Sequence, residues 1–150
     1  MSKPQFFAVK ETKILEGEFT TITGTVMSCI SPKSPKGLSP SAHLGDGNLD
    51  LIVVNRTSRL NYLRYLIRTN MPSSNFSPFQ LPFVQIYRVN EFSFQPENET
   101  KSKDFRGKAK SKPFKKRFSV WNCDGELITN PSINAKVYCQ ILPVFARGIE

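Results

Sequence analysis

Ser31–Val54 reads S-P-K-S-P-K-G-L-S-P-S-A-H-L-G-D-G-N-L-D-L-I-V-V, a polar, proline-rich loop that runs straight into an apolar strand. Three prolines, three glycines, two lysines and the chain's single histidine fall within residues 31–50. Structureless connections above ~12–15 residues are usually functional or disordered. This one is punctuated, because Gly45-Asp46-Gly47 supplies a tight turn with a carboxylate at its apex. Leu49-Asp50-Leu51-Ile52-Val53-Val54 then has the branched, apolar character of a β-strand that anchors the loop.

Working outward, Gly17–Ile30 carries E-F-T-T-I-T-G-T-V-M-S-C-I after its glycine, and its threonine, isoleucine and valine density suits a pleated, half-buried strand. Ile22, Gly24, Val26, Ser28 and Ile30 would share one face, with Gly24 marking a bend or the close approach of another backbone. Ahead of it, Gln5–Val9 is a short apolar opening. Downstream of the central strand, Thr57-Ser58 forms a cap for a helix over Arg59–Thr69. Leu60, Leu63, Leu66 and Ile67 recur there at helical spacing, and the other face carries Arg59, Arg64 and Arg68, a solvated face by default.

Phe83–Val89 and Glu91–Gln95 alternate as strands, and Asn90-Glu91 between them reads as a bulge. Phe118–Cys123 is another alternating run. Asp124-Gly125 after it is the strongest short-range hairpin signal, leading into Glu126-Leu127-Ile128. Ala135, Val137, Cys139 and Ile141 alternate with Lys136, Tyr138 and Gln140 and predict a last long strand. The fold class expected is mainly β: one domain over residues 1–150, an antiparallel β-sandwich with one α-helix. A chain of this length can bury roughly 68–70% of its unfolded surface.

The formal charge of +9 is not evenly spread. Lys101–Arg117 holds nine Lys/Arg against the single acid Asp104, leaving 12 bases and 11 acids elsewhere. The body is nearly neutral and carries one polar, basic loop, about 97–117, expected to be flexible. Cys29, Cys123 and Cys139 are odd in number and lack a C-x-x-C pair, which argues for buried free thiols in a reducing compartment and against a disulfide framework or a zinc site. No apolar run approaches ~18 residues and Met1-Ser2-Lys3-Pro4 has no signal-peptide core, so a cytoplasmic protein is expected.

The sequence offers no Ser/His/Asp or Cys/His set, P-loop, G-x-G-x-x-G or zinc pattern. What remains are two Asp-Gly turns with extra acid: Asp46-Gly47 followed by Asp50, and Asp124-Gly125-Glu126. Plain hairpin chemistry explains either one. Paired carboxylates at a turn also suit phosphoryl transfer, orienting Mg2+-bound phosphates or accepting a hydroxyl proton. Spacing leaves the choice open.

Five segments carry a resemblance, in order, over nearly the whole chain: Met27–Ile52, S-R-L-N-Y-L-R-Y-L-I-R at Ser58–Arg68, F-V-Q-I-Y-R-V at Phe83–Val89, W-N-C-D-G-E at Trp121–Glu126 and F-A-R-G-I-E at Phe145–Glu150. They resemble the C-terminal part of the ceramide kinases, a family of diacylglycerol-kinase-like lipid kinases. The resemblance implies a β-sandwich packed against an N-terminal α/β half, with ATP and ceramide meeting in the cleft between them. It implies that Glu126 takes the proton from the lipid hydroxyl and that Asp124 faces the Mg-ATP end. It also implies that Asp46 holds Mg2+ together with the backbone oxygens of His43 and Asn48. The family's glycine-rich G-G-D-G nucleotide loop belongs to the N-terminal half and is not found in these 150 residues. The chain alone is therefore expected to be inactive or nearly so.

A second reading stays open beside the first: a non-catalytic basic module. Lys108, Lys110, Lys112, Lys115, Lys116 and Arg117 would then face an anionic membrane, to which the protein would attach peripherally. Nucleic acid is a poorer partner, because aromatic interleaving in the run is limited to Phe105, Phe114 and Phe118.

Overall fold

Leu49–Asn55 forms β2, the strand on which the other elements are built. A computed structural model describes residues 12–32, 34, 37–39, 41–70, 77–96, 119–141, 143 and 145. The Gln5–Val9 opening and the basic loop at 97–117, with Lys108, Lys110, Lys112, Lys115, Lys116 and Arg117, lie outside the described residues. β1 (Phe19–Thr25) and β3 (Val84–Val89) flank β2 in an antiparallel sheet of order β1-β2-β3. β4 (Glu91–Phe94) pairs with β7 (Ile133–Lys136), and β5 (Trp121–Cys123) with β6 (Glu126–Ile128), both antiparallel. α1 (Arg59–Asn70) is the one α-helix among the described residues, so the chain is mainly β and antiparallel as expected. No described helix is long and apolar enough to cross a membrane.

β2 is nearly all apolar because both of its faces are covered. Ile52 and Val54, at 0% exposure, pack with Tyr65, Leu81 and Val84 beneath α1. Leu49, Leu51 and Val53 point the other way, against Phe19, Ile22, Tyr87 and Phe92. Burying each such aliphatic side chain stabilises by about 1.5–3 kcal/mol, which makes β2 the densest source of stability in the domain. Phe92 and Val137 bring the β4–β7 pair onto that second face. Gly24 is the place of close approach, although the neighbour is a side chain and not backbone: a Cβ there would lie 3.4 Å from the Phe92 ring.

Several expectations are corrected. β1 ends at Thr25, where Thr25 Oγ1 accepts the Met27 N–H (3.4 Å) and Cys29 adopts φ 56, so Val26, Ser28 and Ile30 do not extend its face. Asn90-Glu91 is a break and not a bulge, since β3 and β4 join different sheets. β7 starts at Ile133 and stops at Lys136; the Val137 N–H donates to Asn90 O (2.8 Å) and Gln140 turns the chain at φ 54. All three cysteines are free but exposed, where burial was expected.

Helix α1 begins as predicted: Ser58 Oγ accepts the Asn61 N–H (3.3 Å) and its carbonyl accepts from Tyr62 (2.9 Å). The face it buries is different from the leucine stripe. Tyr65 is 5% exposed and stacks with Tyr62 at 5.9 Å, while Leu60, Leu63, Leu66 and Ile67 are 79%, 52%, 40% and 47% exposed. Tyr62, Tyr65 and Thr69 recur at i, i+3 and i+7, so the helix has a second apolar face, and the tyrosine rings take the core.

Candidate functional site

The two Asp-Gly turns fold differently. In the first, Asp46 Oδ1 accepts the Asn48 N–H (2.8 Å) and Asn48 Nδ2 donates back to Asp46 O (3.0 Å). The His43 carbonyl accepts the Asp46 N–H (3.3 Å), and its ring Nδ1 accepts from the Gly45 N–H (3.1 Å). Asp46, His43 and Asn48 are thus brought into one turn. Arg88 of β3 closes it from the side, with its Nη2 donating to Asp46 Oδ2 and to the Ser41 carbonyl (3.1 Å). The Asn48 N–H, and after it the Arg88 guanidinium, hold the Asp46 carboxyl below its ordinary range.

Asp50 lies behind this turn, 3% exposed. Its Oδ2 accepts the hydroxyl of Ser39, itself 0% exposed, and its Oδ1 stands 4.0 Å from Arg88 Nε. Arg88 and Asp50 face each other in register across β2 and β3, which puts both side chains on one face of the sheet. A divalent cation would have to share Asp46 with this guanidinium. Oδ2 is held by Arg88, Oδ1 by Asn48 and the His43 carbonyl by the Asp46 N–H, so Mg2+, which demands near-octahedral oxygen ligation, would compete with the guanidinium for this carboxylate. Among the described residues no group of three His, Cys, Asp or Glu converges on one point.

The second turn connects β5 to β6. Asp124 (φ 50) and Gly125 (φ 98) both take the left-handed conformation that matches a two-residue hairpin to strand twist. Asn122 Oδ1 caps it by accepting the Gly125 N–H (2.8 Å). Asp124 and Glu126 are exposed, and among the described residues neither carboxylate has a hydrogen bond or ion pair. Trp121 fixes the hairpin to the domain: its ring meets Phe94 edge-on at 5.5 Å and Phe92 at 6.3 Å, and its Nε1–H donates to Pro131 O (3.0 Å).

Among the described residues no hydrogen bond or ion pair joins the two turns. They are linked through the sheets: Cys139, just after β7, donates to Gly45 O (3.4 Å) beside the first turn, and β4, the partner of β7, carries the rings that hold Trp121. An apolar cavity of about 670 Å³ opens between the three-stranded sheet and β4, lined by Phe19, Ile22, Leu51, Val53, Phe92 and Phe94 among others. Sequence reasoning missed Arg88 and Ser39. Only the β2–β3 register, which pairs Arg88 with Asp50, exposes the first.

Comparison with known proteins shows the family of the chain. The ceramide kinase C-terminal domain family matches residues 3–150. Human ceramide kinase is 41% identical over 160 residues, covering 95% of this chain and 28% of that protein. Mouse ceramide kinase is 42% identical over 155 residues with the same coverage, and that of Arabidopsis thaliana is 32% identical over 135 residues, covering 90% of this chain and 19% of its own. No solved structure matches. The chain thus spans under a third of the length of these relatives, and it belongs to the ceramide kinase C-terminal domain family.

Proposed function

We propose that this chain is the C-terminal portion of a ceramide kinase and supplies one wall of the cleft in which ATP phosphorylates ceramide. The observation that carries this reading is the Asp124-Gly125-Glu126 hairpin, two carboxylates unengaged among the described residues on a turn held by Trp121. Glu126 takes the proton of the lipid's primary hydroxyl as that oxygen attacks the γ-phosphorus, and the bond to the β-phosphate oxygen breaks to release ADP. Asp124 faces the Mg2+ that arrives with ATP as part of the substrate. The apolar cavity beside β4 suits a hydrocarbon chain of the lipid.

Alone the chain is inactive on this reading, because positioning and charge stabilisation do most of the work in phosphoryl transfer and both need the nucleotide-binding half. The exposed stripe of Leu60, Leu63 and Ile67 supports that view, as an apolar surface suited to the part of the relatives' length that lies outside the match. On this reading the enzyme works in the cytoplasm, peripheral at membranes. Lys108, Lys110, Lys112, Lys115, Lys116 and Arg117 there meet anionic lipid, at about 1 kcal/mol each.

Transfer of labelled phosphate from ATP to ceramide tests the reading. The purified chain is expected to transfer none, and to gain activity when mixed with the separately expressed N-terminal portion of a ceramide kinase. Transfer by the chain alone would contradict the division of labour.

A further inference from the structure

The geometry points to Arg88 as the built-in cation of the Asp46 turn, a positioning residue that takes the place of a divalent metal there. Two acceptors and one ion-pair partner converge on one guanidinium: Asp46 Oδ2 and the Ser41 carbonyl accept from Nη2, and Asp50 Oδ1 stands 4.0 Å from Nε. They come from the loop before the turn, the turn itself and the strand after it. A planar guanidinium, unlike an ammonium, reaches such a spread with fixed donors. The position is set by the fold, because Arg88 stands directly opposite Asp50 in the β2–β3 register.

The need for a cation is equally local. Asp46 and Asp50 lie four residues apart, Asp50 is buried, and a buried carboxylate is tolerated only when paired and hydrogen-bonded. Ser39 and Arg88 meet that requirement for Asp50, and Asn48 and Arg88 for Asp46. No buried side-chain polar atom among the described residues is left without a partner. A chain that carries its own cation here folds the turn without drawing on the cellular Mg2+ supply. Metal use is then confined to the nucleotide.

Thermal unfolding of the purified chain in 5 mM MgCl2 and in 5 mM EDTA, for the wild type and Arg88→Gln, tests this. The wild type is expected to unfold at the same temperature in both. Arg88→Gln is expected to unfold roughly 5 °C or more lower in EDTA and to recover at least half of that loss in Mg2+, as the vacated site takes the metal. A merely structural arginine would lower the midpoint equally in both solutions, and that result overturns the proposal. Lowering of the wild-type midpoint by EDTA overturns it as well, as does heat of Mg2+ binding to the wild type by calorimetry. Should Arg88→Gln fail to fold, Arg88→Lys decides: its ammonium spans the acceptors less well, so a smaller loss in EDTA with partial recovery in Mg2+ is expected, and an equal loss in both solutions contradicts the assignment.

Discussion

Asp46-Gly47 and Asp124-Gly125 are the same dipeptide in opposite circumstances. The first is bound on every side: Asn48 and Arg88 hold its carboxylate, Cys139 packs under its glycine, and the buried Asp50 lies behind it. The second stands on a two-stranded hairpin with its carboxylates in solvent and one tryptophan fastening it. Each Asp46 oxygen already accepts an internal donor, whereas the Asp124 and Glu126 carboxylates accept none among the described residues. On the proposed function, the first turn supports the loop and the second is the working end.

The largest expected effect separates them by activity. In a full-length kinase carrying this domain, Glu126→Gln is expected to lower turnover by about 10²–10⁴, the usual contribution of a positioned base, with an unchanged melting temperature. Phosphate-transfer assays and calorimetry on one preparation check both halves, and a variant with near-normal turnover would move Glu126 out of the mechanism. Stability is expected to reverse the order. Asp50→Ala, which strands the Ser39 hydroxyl and deprives Arg88 of a partner, should cost about 2–3 kcal/mol in denaturant unfolding, while Asp124→Ala should cost less than about 0.5 kcal/mol.

The two glycines sharpen the contrast further. Gly47 (φ +71) would place a Cβ 2.9 Å from Cys139 Cβ, whereas Gly125 (φ +98) has nothing within 4 Å. Both Gly→Ala variants carry the left-handed penalty of about 1–2 kcal/mol, and only Gly47→Ala adds a clash, so it should be the more destabilised of the pair by urea titration. Equal losses would mean that Cys139 moves aside freely. The smallest effect is in pH. The folded Asp46 carboxyl is held below its ordinary value near 3.8. Its contribution is therefore complete above that value and is lost as the pH falls through the lower, folded one. Asp46→Asn should flatten the stability curve of the wild type only below about pH 4.

β2, the N-terminal cap of α1 and the second hairpin were legible in the sequence because each depends on neighbours in the chain: an apolar run, Ser58 before a helical period, Asp-Gly between alternating strands. The ends of β1 and β7 were not legible. Alternation continues past Thr25 and Lys136, and what stops the strands is a hydroxyl contact at Met27 and a hydrogen bond to the distant Asn90. The helix face was misread for a related reason, since leucines and tyrosines both recur at helical spacing and only packing against Ile52 and Val54 selects the tyrosines. At the candidate site, the D-G-E carboxylates could be named from a motif. Arg88 could not, because its partner is 38 residues away and meets it only through strand register.

The most direct test of the account is a chimera in which residues 3–150 replace the matching C-terminal segment of human ceramide kinase, assayed for transfer of labelled phosphate to ceramide with and without Glu126→Gln. Transfer by the chimera, abolished by the substitution at an unchanged melting temperature, is the predicted result. A folded chimera that phosphorylates ceramide equally well with glutamine at position 126 would contradict it.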